Sequence, residues 1–296
     1  MNNKRLQPSI ILGLVAIALI IKGFTSGEMA MVAIGILLII LSVSRTMLIK
    51  KFSSEEYDDV DAPDMITRYL LEDPVLYVEM LEVYKSGNGE VLYAENDGIL
   101  LYDNLSFNYL ASAKTLAGAR DIVRLLPQNY GVFVAHDEIF QELIGIDFVF
   151  KNSLLSYNHV YQSKQHVPLE NTEVEIRLLD DSYLEVIKQQ YTIERLSTDT
   201  YILGRIKDGM LGAFVDDKLA GFIGIHDSGP IGLLEVFDEY RGQKIAQTLQ
   251  AAIMNRLIDQ GKTIFLQVND TNEVSLHIQK KLHMTCAKNP CGWYFS

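Results

Sequence analysis

The chain has 296 residues, room for two ordinary domains and a small extra segment, and a formal net charge of −12. That charge is unevenly placed: residues 1–51 hold six Lys/Arg against one Glu, +5, so the remainder carries −17. So acidic a remainder has no electrostatic footprint for nucleic acid. The only cysteines, Cys286 and Cys291, come without metal-ligand spacing and read as free thiols in a reducing compartment, so no metal is expected.

Residues 10–21 and 29–43 are nearly uninterrupted apolar runs, and each extends at its flanks to the ~20 residues that span a hydrocarbon core. They predict a transmembrane helical hairpin over 1–51. A cleaved secretory signal is the competing reading, since Lys4 and Arg5 precede an apolar core; the second run and the lack of a small-residue cleavage site weigh against it. Lys4 and Arg5 lie before the hairpin, and Arg45, Lys50 and Lys51 lie after it. The positive-inside bias therefore puts both ends, and everything after them, on the cytoplasmic side of a cell membrane. Residues 52–64 follow as an acidic linker with six carboxylates and little to bury.

From Met65 the pattern turns helical, with Ile66, Tyr69 and Leu70, then Leu76, Met80, Leu81 and Tyr84 beyond Pro74. Strands are expected over 91–94 and 99–102 around an Asn96-Asp97-Gly98 turn. A helix over 115–126, a strand over 132–135, a helix over 138–146 and a closing strand over 157–162 complete a first α/β domain, 65–168. The second domain, 169–296, starts with a strand over 173–179 and helices over 182–191 and 200–207. A hairpin over 212–215 and 219–225 follows, then a central strand from Gly232 and a helix from Ile245 to Gln260. Its apolar positions Ile245, Leu249, Ala252, Ile253 and Leu257 recur at helical spacing, and Gly261 is the stop. A strand over 263–268, a helix over 272–282 and short strands near 285 and 293–295 close the chain. Both domains read hairpin, helix, strand, helix, strand, which suggests a tandem pair of related units; unrelated α+β domains sharing an order by chance is the alternative.

The chemistry concentrates at the turn before the long helix. A helix start offers unpaired N–H groups and the positive end of a dipole, which suit a phosphate. Arg241 and Lys244 add side-chain charge at the same point. The plainer reading is an ordinary strand–loop–helix with a solvated basic turn.

The segment EVFDEYRGQKIAQTL, residues 235–249, resembles the coenzyme A-binding signature of the GNAT acetyltransferase superfamily, Arg/Gln-x-x-Gly-x-Gly/Ala. Arg241 and Ala246 fit its first and last positions, while Lys244 stands where the family has its middle Gly. Residues 267–284, QVNDTNEVSLHIQKKLHM, resemble the second signature, with Gln279, His283 and Met284 in place of the usual Tyr and Gly-Phe. The resemblance covers the chain from about Val174 onward. It implies an α/β (α+β) fold: a GNAT-type mixed sheet flanked by helices, here preceded by a second GNAT-like α/β unit without the cofactor motif and by the membrane hairpin. It implies acetyl-CoA as co-substrate, with the diphosphate against Arg241, Gly242, Gln243, Lys244, Ile245 and Ala246. The pantetheine would run along the backbone of Leu234 and Val236, within reach of Asn269 and Asn272; Asn272 also reads as a helix N-cap bonding Ser275. If Lys244 must adopt a left-handed conformation, its side chain costs of order 1 kcal/mol.

Transfer to an amine of pKa ~10.4 needs a neutral amine, a state costing ~4.6 kcal/mol at pH 7, so a base or water chain is valuable. Glu235, in an otherwise apolar strand, and His226, ending the preceding strand, are the candidates. A structural salt bridge and a turn residue are their plainer roles. Gln279 would stand for the Tyr that helps the thiolate leave, able to hydrogen-bond but with no useful proton. The expected activity is membrane-anchored N-acetyl transfer to a small-molecule or peptide amine. The rivals are a non-catalytic acyl-CoA-binding or regulatory module at the membrane, and a scaffold whose second domain is vestigial.

Overall fold

The computed structural model describes residues 63–296 except 192, 194 and 195, and ten positions between 17 and 36. The chain divides into compact units at 1–62 and 63–296, and the fold below is that of the second. The hairpin expected over 1–51 and the linker over 52–64 lie outside the described residues, apart from those ten positions, Pro63 and Asp64. Among the described residues no helix is long and apolar enough to cross a membrane.

The first half of this unit runs α1 (Met65–Leu70), α2 (Val78–Lys85), β1 (Gly89–Glu95), β2 (Gly98–Asp103), β3 (Asn108–Ala113), α3 (Leu116–Leu125), β4 (Val132–Ala135) and β5 (Asn152–Tyr161). The second runs β6 (Glu175–Leu178), α4 (Leu184–Gln190), α5 (Asp199–Lys207), β7 (Leu211–Val215), β8 (Lys218–Ile225), β9 (Ile231–Val236), α6 (Ile245–Asp259), β10 (Ile264–Asn269), α7 (Glu273–Lys281), β11 (Thr285–Cys286) and β12 (Cys291–Phe295). Two helices, three strands, a helix and a strand thus recur in the same order. α1, α3, α5 and α7 start where the sequence supplies caps: Asp64, Thr115, Thr198 and Asn272 each accept an N–H of the first turn.

Residues 108–113, assigned to no element from the sequence, form β3, with Leu110 and Ala111 as core positions on opposite faces. One expectation needs correction. Residues 138–146 make a 3-10 helix, Glu138–Leu143, followed by the turn at Gly145.

The strands join one sheet in the order β1-β2-β3-β4-β12-β5-β10-β9-β8-β7-β6, with β11 also on β5. The halves exchange strands. β5, expected to close the first half, pairs antiparallel with β10 from Ser156 to Tyr161 and carries β11 on its other side. In return β12, the last strand of the chain, lies between β4 and β5. Strand pairing depends on partners distant in sequence, so hydrophobic pattern alone could place these strands but not assign their neighbours.

The sheet is covered on both faces. α1 and α2 cover one face of the first half through Tyr69, Leu70, Met80 and Leu81, and α3 covers the other through Ala119, Ile122 and Val123. In the second half, Ile187, Ile202 and Ile206 of α4 and α5 pack with Phe222 and Leu233. On the opposite face Ile245, Leu249, Ile253 and Leu257 of α6 pack with Ile231, Leu266 and Val268. α6 buries Gln247 and Thr248 as well, because the connection between the halves is strapped along it. Val167 exchanges two hydrogen bonds with the Asn255 amide, and Asn171 N–H donates to Thr248 Oγ1 at 3.0 Å.

Candidate functional site

The two halves differ at their parallel strand pairs. In the first, β3 and β4 stay in register over four residue pairs, from Asn108↔Val132 to Ala111↔Ala135, and His136 N–H continues the ladder to Ala111. Asp137 then locks the end, accepting from the Ser112 hydroxyl at 2.6 Å, Tyr77 at 2.9 Å and the Ala113 N–H at 3.1 Å. In the second half, β9 and β10 pair among the described residues only at Leu266↔Ile231 and diverge beyond it. β9 is also bulged. Phe222 faces Glu235 and Gly224 faces Gly232, so Leu233 and Leu234 share one position opposite β8, and Leu233 has φ +50°. A left-handed leucine costs ~1–2 kcal/mol, and bulges of this kind re-aim backbone groups beside sites. Beyond Leu266↔Ile231, Leu234 and Val236 of β9 and Val268 and Asn269 of β10 are not paired with each other.

Beyond the end of β9 the chain turns into α6. Gly242 has φ +78° and Lys244 φ +60°, so the position where the family has Gly does require the left-handed region. The Lys244 side chain turns outward, its ammonium 3.0 Å from Glu170 in the connection, and Asn171 donates to the Gln243 carbonyl at 3.0 Å. Arg241 folds back on its own strand, donating to Val236 O and Glu235 at 3.3 Å and pairing with Asp238 at 2.9 Å. Both cations are more than half exposed, so each pair contributes ~0–1 kcal/mol and yields easily to a dianionic ligand. Ile245 is buried under the sheet, and Ala246 is half-buried at the start of the helix.

The candidate bases separate. Glu235 is the salt-bridge partner of Arg241 and is half-buried. His226 sits against β9, its ring packed on Gly232, and its Nδ1 lies 2.6 Å from the Tyr201 hydroxyl. Burial, then the nearby Arg205 guanidinium, pushes its pKa down to about 4, so it is neutral across the physiological range. Arg205 is itself held by Asp208 at 2.8 Å and by Asp227, whose own carboxyl burial raises.

Gln279 has its amide bonded inside the protein. It is buried between α6 and α7, its amide paired both ways with Gln250 at 2.5 and 3.3 Å and bonded to Ser275 at 3.2 Å. The amide of Gln is matched by a second Gln on the facing helix, and that pairing keeps it in the core. Asn269 accepts from Thr271 N–H at 2.9 Å, and Asn272 is the α7 N-cap, accepting from Ser275 N–H at 3.0 Å. His283, in place of the family's Gly, has φ +54°.

A cavity of ≈ 420 Å³ opens between the halves, lined from the first by Leu105, Asn108 and Val132 and from the second by Tyr201, His226, Gln267 and Trp293. Behind it Gln267 donates to Glu79 at 2.7 Å; Glu79 is fully buried, and burial pushes its carboxyl up to about 7. Tyr201, Trp293 and Glu79 escaped sequence reasoning because their meeting depends on the strand exchange. Only the helical spacing of Tyr201 and the rarity of Trp hinted at them.

Comparison with known proteins bears on the family and the fold. Residues 181–276 match the family model described as an acetyltransferase (GNAT) domain. No curated protein sequence matches the chain. A solved Drosophila protein superposes with a TM-score of 0.55 at 14% identity, over 78% of this chain and 94% of that one. A GCN5-related N-acetyltransferase from Kribbella flavida gives 0.50 at 10%, over 75% and 95%. A GCN5-related N-acetyltransferase-like protein from Streptococcus suis gives 0.49 at 13%, over 79% and 100%. At these identities the likeness is one of fold. The splayed pair, the bulge and the left-handed turn into α6 all lie inside residues 181–276, the segment that matches an acetyltransferase (GNAT) domain.

Proposed function

We propose that this chain is an N-acyltransferase that moves an acetyl group from acetyl-CoA to a primary amine by direct attack in a ternary complex. The observation that carries the reading is the bulged, splayed β9 leading straight into a helix whose turn holds Gly242 and Lys244 in left-handed conformations. The N–H groups of 242–246 and the α6 dipole suit a diphosphate, and Arg241 and Lys244 exchange their exposed carboxylate partners for it. The free edge of β9 offers its backbone to a pantetheine amide. Leu234 and Val236 flank the thioester, and Asn269 and Asn272 border the far wall.

Of the candidate bases, His226 has the better setting: neutral, half-buried, beside the bulge, and facing the cavity from which an amine would come. With so low a pKa it is a weak base, so its contribution is to accept a hydrogen bond from the attacking amine and aim its lone pair. The thiolate leaves unaided, since a thiol of pKa near 8.5 is a good leaving group at neutral pH.

Two further parts belong to the proposal. The recurring element order supports a tandem pair in which the first unit is GNAT-like and silent; its parallel strands are zipped by the Asp137 network where the second pair opens. Residues 1–51 would hold the enzyme in the cell membrane with its catalytic part cytoplasmic, on the strength of their apolar runs and flanking Lys and Arg.

Calorimetric titration with acetyl-CoA, then thiol release across a panel of amines, tests the central claim. No binding sinks it. Binding without release favours the second reading, a non-catalytic acyl-CoA-binding module, which the burial of Gln279 supports. Membrane fractionation of the chain with and without residues 1–51 tests the anchor.

A further inference from the structure

We infer that the ≈ 420 Å³ cavity between the two halves is the binding site for the acceptor, and that the acceptor is a primary amine carried on a flat body without anionic groups. The inference rests on the acyl-transfer reading for the word acceptor, but the site stands on its own geometry. A volume of this size suits a single ring with a short side chain.

Its position fits attack on a thioester lying along β9. His226, one wall of the cavity, packs on Gly232, and the bulged Leu233 is the next residue of β9. Gln267, another wall, follows Leu266, the residue at which β9 and β10 part. The cavity thus adjoins the root of the splay on the face that α4 and α5 cover, while α6 and the diphosphate turn belong to the opposite face.

Its chemistry selects the ligand. Trp293 donates its indole N–H to Ser156 Oγ at 2.8 Å, so what it offers the cavity is apolar surface. Leu105 and Val132 from the first half add aliphatic wall, and Asn108, Ser228 and Gln267 add neutral hydrogen-bonding groups. Among the residues lining this cavity and the smaller one beside it, the carboxylates Asp227, Asp103 and Glu82 outnumber Lys262, and Glu79, whose carboxyl burial raises, lies behind Gln267. Arg205 is held between Asp208 and Asp227. An ammonium group approaches such a wall favourably, and a carboxylate or phosphate on the same molecule is repelled. The first half, whose own parallel pair stays in register, thereby gains a role as one wall of the acceptor site.

Tyramine and tyrosine, which differ by one carboxylate, test this when titrated into the full-length protein with and without saturating CoA. Tyramine is expected to bind at least tenfold more tightly than tyrosine. Leu105→Trp, which fills the cavity from the first half, should weaken tyramine at least tenfold and leave acetyl-CoA affinity within twofold. If that variant melts without cooperativity, Leu196→Trp fills the same space from the other side and decides the matter. Equal affinity for tyramine and tyrosine, or tyramine affinity unmoved by filling the cavity, overturns the assignment. Selective tyramine binding with no acetyl-CoA binding would uphold the cavity and sink acyl transfer instead.

Discussion

The imidazole Nε2 of His226 occupies the space that a side chain on residue 232 would need: a Cβ built on Gly232 meets it well inside contact distance. The absence of a side chain on one strand is therefore what lets the ring of another lie beside the bulge. Gly232→Ala should displace the ring and cost ~1–3 kcal/mol of stability through overpacking. In a His226→Ala background the same substitution should cost little. Thermal or urea unfolding of the four variants gives the coupling, and additive effects would show that the ring does not pack there.

The pH dependence of the reaction follows from His226 being neutral already. Its folded pKa near 4 means that no titration of this residue falls between pH 6 and 9. For an amine of pKa ~10.4, kcat/KM should rise about tenfold per pH unit across that range, tracking the free amine. A plateau beginning near pH 7 would point to a different base.

Glu79 makes stability depend on pH in the opposite sense to most carboxylates. Its pKa is raised from 4.5 to about 7 by burial, so the folded state binds the proton more tightly than the unfolded chain. The resulting stability is fully present below pH 4.5 and is lost as the pH rises through 7, a change of order 3 kcal/mol. Glu79→Gln should flatten this slope and raise the melting temperature at pH 8 more than at pH 5. Equal shifts at both pH values would count against a buried, proton-binding Glu79.

Lys244 tests strain against charge. Lys244→Gly relieves the left-handed backbone and Lys244→Ala does not, so the glycine variant should be more stable than the alanine one by ~1 kcal/mol. Both lose the ammonium, and both should bind acetyl-CoA several-fold more weakly by calorimetry. Unchanged affinity would mean that Lys244 stays with Glu170 throughout.

The exchange of β5 and β12 ties the halves into one folding unit. Removing residues 291–296 takes away the strand between β4 and β5 and the buried Cys291 and Tyr294. The full chain from 63 onward should unfold in one transition by circular dichroism, and the shortened chain should lose cooperativity in both halves. Two separate transitions in the intact protein would contradict this.

The sequence by itself determined the local parts of this protein. Helical spacing from Ile245 to Leu257, the Asn96-Asp97-Gly98 turn, the strand at 132–135 and the Arg241–Ala246 turn were legible because each depends on residues a few positions apart. The proposed cofactor side of the site lies on one such continuous stretch, residues 241–246, which carries the motif. Only the tertiary structure decided which strands are neighbours, why β9 and β10 part while β3 and β4 do not, and where Gln279 points. It also assembled the acceptor side, where Leu105, Tyr201, Gln267 and Trp293 meet from four separate segments. Hydrogen-bond register and burial between distant segments set those outcomes, and neither leaves a periodic trace in the chain.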